Sequence, residues 1–154
     1  MPSRAAGDTA PRSGYTSLMG AVPDASVLAV SSEALKSRVA KLVSDVDALA
    51  VVLPKAFAKS RLETVRIMAR DVAERSQAVV LSMSLSRPPA EVLETVEALR
   101  ALLARLRLLS SRTRIEQGTL LSIVLMETLI ASLCLDLEAW QASRDAGPSV
   151  ADAG

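Results

Sequence analysis

Apolar residues return every three or four positions between residues 31 and 144, and that spacing predicts helices. In the first such stretch Leu35, Val39, Leu42, Val46, Leu49 and Val52 or Leu53 form one stripe, with Ser31 or Ser32 placed to cap the exposed amides. Pro54 lacks an amide hydrogen and crowds the preceding turn, so this helix bends or ends near Leu53. A second helix is predicted over about 58–85. It puts Leu62, Val65, Met68, Ala69, Val72, Val79, Val80 and Met83 on one side and Lys55, Lys59, Arg66 and Arg70 on the other. The run Ser86-Arg87-Pro88-Pro89 ends it, because a residue before proline avoids helical angles. A third helix starts at Pro89, with Glu91 and Glu94 near its positive end. Its inner face is Val92, Val96, Leu99, Leu102, Leu103, Leu106 and Leu109. The run from Ser110 to Thr113 supplies a turn, and Ser111 or Thr113 can cap a fourth helix over about 114–143.

The flanks have no such period. Residues 1–30 mix Pro, Gly, Ser and Ala and read as a flexible arm without the apolar run of a secretory signal. Residues 145–154 read as a flexible tail, and Gly147-Pro148 is expected to stop any helix that reaches it. The domain is therefore residues 31–144, and four helices with short connections imply an all-α, antiparallel up-down four-helix bundle.

The fourth helix departs from simple amphipathicity. Leu120, Leu121, Ile123, Val124, Leu125, Met126, Leu129, Ile130, Leu133, Leu135 and Leu137 spread around most of its circumference. A lipid-crossing segment needs about 20 predominantly apolar residues. Glu127 interrupts this one at a cost of roughly 3 kcal/mol, and Asp136 and Glu138 close it without a basic cluster to orient it. The expected arrangement instead packs one face on the other helices and a second face on another copy of the chain. Large aliphatics gain about 1.5–3 kcal/mol each on full burial, which disfavours leaving so many of them wet. Leu121, Val124, Leu125, Leu129 and Leu133 are the candidate oligomer contacts.

Composition narrows the chemistry. Half of the residues are hydrophobic, yet Tyr15, Phe57 and Trp140 are the only aromatics, so the core must be aliphatic. With no His and only Cys134, the usual zinc sets and an internal disulfide are excluded, and a reduced cytoplasmic setting is the default expectation. Cys134 lies in an apolar run and reads as a small buried hydrophobe. No glycine loop is built for phosphate, and no serine has a histidine to activate it. Neither enzyme activity, nor a cofactor, nor a small-molecule substrate is expected. Asp45, Asp47, Glu91, Glu94 and Glu97 read as a solvated face.

The cations remain. The net charge is +1, and between Glu33 and Arg144 sixteen Lys or Arg face thirteen Asp or Glu, about +3. Besides the Lys55, Lys59, Arg66 and Arg70 stripe, Arg100, Arg107 and Arg114 recur every seven residues as a second ridge. Both fit a solvated surface with local ion pairs, and both fit a surface for RNA, DNA or protein. Apart from Phe57, between Lys55 and Lys59, no aromatic residue interleaves with them, so any nucleic-acid contact is expected at phosphates.

Four features, taken together, carry a family likeness over about residues 35–141. They are Leu53-Pro54 followed by Lys55 and Arg61, Leu99-Arg100 on the third helix, the Ser110-Ser111 turn, and a fourth helix ending in Trp140. The sequence resembles the four-helix-bundle family that includes the accessory variability determinant of diversity-generating retroelements, to which the ribosomal-RNA intervening-sequence proteins are related. The resemblance implies a symmetric, pentameric assembly that binds a reverse transcriptase and contacts template RNA or DNA. Such a protein assists mutagenic reverse transcription without catalysing it. Carried onto this chain, the implied binding residues are Lys55, Lys59, Arg61, Arg66, Arg70 and Arg100. Two other readings stay open: a scaffold bundle with no polyanion partner, and a small membrane-associated protein.

Overall fold

A computed structural model describes the backbone of residues 25–153 and the side chains of residues 32–146. The first helix, α1 (Ala25–Ala50), starts earlier than Ser31 or Ser32, so neither serine is its cap. Part of the segment expected to be a flexible arm is thus helical; residues 1–24 lie outside the described residues. The helix ends at Ala50, whose carbonyl would have met the amide that Pro54 lacks. A single helical turn, α2 (Leu53–Ala56), follows with Pro54 in its first turn. Its closing bond, from the Phe57 amide to the Leu53 carbonyl at 3.0 Å, swings both side chains into the core. Val52, an expected core alternative to Leu53, is left exposed by this break.

The second long helix, α3 (Glu63–Ser84), begins five residues later than the sequence suggests. Burial of Phe57 turns the chain inward just before the expected start of this helix, and the segment between it and Glu63 becomes a loop. The loop is tied by the Ser60 hydroxyl, which accepts from the Leu62 amide at 3.3 Å, and by the Arg66 guanidinium, which donates to the Ser60 carbonyl. Leu62, expected on the inner stripe, therefore lies outside the helix and is exposed. Val65, Met68, Ala69, Val72 and Val79 are buried as the 3.6-residue period requires. Ser76 is buried among them and donates to Asp47 of α1 at 2.9 Å, so Asp47 bridges two helices rather than sitting on a solvated face.

At the end of α3 the Arg87 amide reaches the Ser82 carbonyl at 3.0 Å and the Ser86 amide reaches the Met83 carbonyl at 3.1 Å. Those two bonds define a Schellman cap, and Ser86 takes the left-handed position with φ 56°. An L side chain there costs about 1–2 kcal/mol, less the unfolded-state entropy that glycine would forfeit. Ser86→Gly is therefore expected to stabilise the protein by about 0.5–1 kcal/mol, read as a higher urea midpoint at unchanged slope. An unchanged or lower midpoint would mean that the serine side chain supplies something the glycine cannot.

Helix α4 (Pro89–Ser110) matches the sequence reading closely, from Pro89 in the first turn to the buried Val92, Val96, Leu99, Leu103 and Leu106. The last helix, α5 (Gln117–Ala153), starts slightly later than expected and continues through Gly147-Pro148, where a stop was expected. A proline within a helix forfeits one bond, here to the Arg144 carbonyl, and the bonds of the flanking turns bridge that gap. The segment expected as a flexible tail from residue 145 is thus helical to Ala153.

The packing follows chain order: α1 contacts α3, α3 contacts α4, α4 contacts α5, and α5 returns to α1. The core between them is aliphatic apart from Phe57, Trp140 and two sulfur side chains, Met68 and Met126, with Cys134 at its edge. No strand occurs among the described residues, so the fold is an all-helical bundle of four long helices.

Candidate interaction surfaces

Six cations are set in or beside the two connections α2–α3 and α4–α5. Lys55 is on α2, Lys59 and Arg61 are in the loop after it, and Arg66 opens α3. Arg112 and Arg114 lie between α4 and α5. The two connections meet at a cavity of about 180 Å³ lined by Phe57, Lys59, Ser60, Arg114, Ile115 and Glu116. All six cations except the half-buried Arg66 are exposed, and none forms an ion pair among the described residues. Glu63 and Glu116 are the acids on the same connections, so the surplus of positive charge is local.

This grouping differs from the expected stripes. Lys55 and Lys59 precede α3, so they do not share a helical face with Arg66 and Arg70. Arg66 is committed to the Ser60 carbonyl, and Arg70 stands exposed farther along α3. Arg114 lies past the end of α4 and so leaves the Arg100–Arg107 ridge. Arg107 pairs with Glu127 at 2.6 Å, giving that mid-helix carboxylate its counter-ion across the α4–α5 contact. Arg112 was missed by the sequence reading; its only signal is its place within the serine-marked turn, which a seven-residue ridge does not sample.

The outward face of α5 forms a second surface. Leu121, Val124, Leu125 and Leu135 are exposed there, with Thr128 and Ser132 between them. The Thr128 hydroxyl donates to the Val124 carbonyl at 3.1 Å, which turns a polar group back onto the helix. No charged residue is exposed on α5 between Gly118 and Glu138. The acids that the sequence contains there lie at the margins: Glu127 pairs toward α4 and Asp136 pairs with Arg38 of α1 at 3.0 Å. Of the five expected contact residues, Leu121, Val124 and Leu125 are on this face and Leu129 is partly buried. Leu133 is not: it is 0% exposed within the single chain, because it falls in helical phase with the buried Met126, Ile130 and Leu137. It belongs to the core and has no surface to offer another copy.

By length and apolar composition Gln117–Ala146 is also the one described helix that could cross a bilayer, although core helices share that property. Cys134 is buried near Glu97 and Arg100 of α4; burial pushes its thiol up from the usual range, with Arg100 opposing. The thiol is thus held neutral rather than primed for attack. Among the described residues no group of three His, Cys, Asp or Glu is arranged to hold a metal ion. No protein-family model, curated protein or solved structure matches the chain.

Proposed function

We propose that the protein is a non-catalytic binding module that self-associates through α5 and presents its cationic connections to a polyanionic partner. In the fullest form of this reading it is a cytoplasmic accessory protein of a reverse transcriptase, binding the polymerase and its template RNA. The retroelement part rests on the sequence resemblance described above. The bundle is taken as antiparallel: Arg107 meets Glu127, whereas Glu97, earlier on α4, meets Cys134, later on α5. Symmetric association, pentameric in the resembling family, would repeat the cationic patch around one assembly and multiply a modest local field.

The observation that carries the reading is the set of unpaired cations gathered from two connections distant in sequence. Of the sixteen described Lys and Arg only Arg38, Lys41, Arg87 and Arg107 form ion pairs, so it is the gathering of six cations at two connections, rather than their lack of partners, that marks this surface. Phe57, the aromatic residue beside them, is buried and offers no face for stacking, so Lys59, Arg112 and Arg114 suit phosphates rather than bases.

Fluorescence anisotropy with single-stranded RNA tests this. Binding is expected to weaken with salt, and the triple variant Lys59→Glu, Arg112→Glu, Arg114→Glu should lose at least about tenfold in affinity with a shallower salt slope. Arg66 is left intact because it ties the loop. Equal RNA binding by the variant removes the cationic connections from the reading. An assembly that never binds RNA leaves the scaffold reading, for which the uncharged face of α5 is sufficient. The retroelement part has its own check: a reverse-transcriptase gene is expected beside this one.

A further inference from the structure

A second cavity, of about 320 Å³, opens between the N-terminal half of α1, the capped end of α3 and the distal part of α5. Trp140, the only tryptophan in the chain, is 8% exposed there, and Met83 lies beside it. Lys36, Arg87 and Arg144 line the same cavity, against one acid, Glu33. Lys36 and Arg144 form no ion pair among the described residues, and Arg87 makes only a loose one with Glu91 at 3.8 Å. Three exposed guanidinium or ammonium groups therefore converge on a lining that also holds a ring and a thioether.

The backbone at this place is also unusual. Ser86, which lines the cavity, is the one described non-glycine residue with positive φ. The Schellman cap that holds it there fixes the direction in which Arg87 leaves α3. Strained backbone retained at the rim of a cavity is a recurrent mark of a binding position. A site of this size is at the lower bound for small ligands, roughly 300 Å³. Its chemistry selects for two properties at once, an apolar body and a negative head.

We propose that this cavity binds a small organic anion, with an apolar body against Trp140 and Met83 and its anionic head held by Lys36, Arg87 and Arg144. A carboxylate or a sulfonate satisfies those donors equally well, whereas an inorganic anion leaves the ring and thioether without a partner. The site is separate from the cationic connections, which are set at the other end of α1, and it stands whether or not they bind RNA.

The full chain is titrated with anilinonaphthalene sulfonate, a dye with both properties, while the emission of Trp140 is followed. Quenching of Trp140 with energy transfer to the dye should saturate at one dye per chain. Lys36→Gln with Arg144→Gln should raise the apparent Kd by about tenfold. Leu108→Gln, on the exposed side of α4, should leave it unchanged. Octanoate should displace the dye and inorganic phosphate should not. Circular dichroism of the double variant, together with its thermal unfolding, establishes that it folds; should it not, Arg144→Gln alone carries the comparison. The proposal is overturned if the folded variant binds dye as the parent does, if Leu108→Gln abolishes the signal, or if phosphate competes as well as octanoate.

Discussion

Replacing Leu133 by alanine is expected to lower folding stability by about 3 kcal/mol, the cost of lost transfer energy plus the cavity left behind. The loss should be the same at every protein concentration, because Leu133 is fully enclosed within one chain. Leu125→Glu should behave in the opposite way. Leu125 is 48% exposed, so the substitution should cost the isolated chain little, within about 0.5 kcal/mol, while lowering the association state. Urea unfolding at two protein concentrations, together with sedimentation velocity, separates the two effects. If Leu125→Glu unfolds the chain, or if sedimentation shows a monomer for the parent protein at micromolar concentration, the outward face of α5 is not a contact between copies.

The second large effect concerns Arg38 and Asp136. The Asp136 side chain is only 10% exposed, whereas that of Arg38 is 67% exposed. One carboxylate oxygen accepts from Arg38, and the other is buried without a partner. Arg38→Ala is expected to cost about 1–2 kcal/mol, below the 3–5 kcal/mol typical of a fully buried pair because solvent reaches the arginine side. The double variant Arg38→Met, Asp136→Leu should regain that loss or exceed the parent, since it removes both the charge and the orphaned oxygen. Thermal unfolding of the three proteins at one concentration measures the loss and its recovery. Failure of the double variant to recover would mean that the carboxylate has a role in packing that leucine cannot fill.

The fold was legible where a pattern had both phase and punctuation. Helix α4 has a proline pair in front, a serine turn behind and a clean leucine stripe, and its limits and inner face agree with that pattern. Helix α5 had no phase to read, because apolar residues surround it. Nothing in such a run distinguishes Leu125, which faces out, from Leu133, which faces in. The start of α3 was lost for another reason. Ala58, Lys59 and Ser60 can all sit in a helix, and only the insertion of Phe57 into the core draws them into a loop.

The candidate surfaces were legible in kind rather than in place. Basic residues near Pro54 and after the third helix were visible, but counting along single helices assigned them to two ridges. Their meeting depends on two connections coming together, with Lys59 and Arg114 lining one cavity. Likewise the partner of Glu127 was hidden, since Arg107 lies on a different helix across a turn. The group around Trp140 draws on three helices and a strained serine, and no local motif announces it.

The closed order of packing bears on how the chain acquires its shape. The most extensive helix contact joins α1 to α5, the earliest and latest of the described helices to leave the ribosome. The other three contacts can form between neighbours as synthesis proceeds, with little loop-closure entropy. Until α5 emerges, Val39, Val43 and Val46 of α1 lack one wall of their enclosure. The nascent protein therefore passes through a three-helix stage with an open apolar trough, the kind of surface that holdase chaperones recognise.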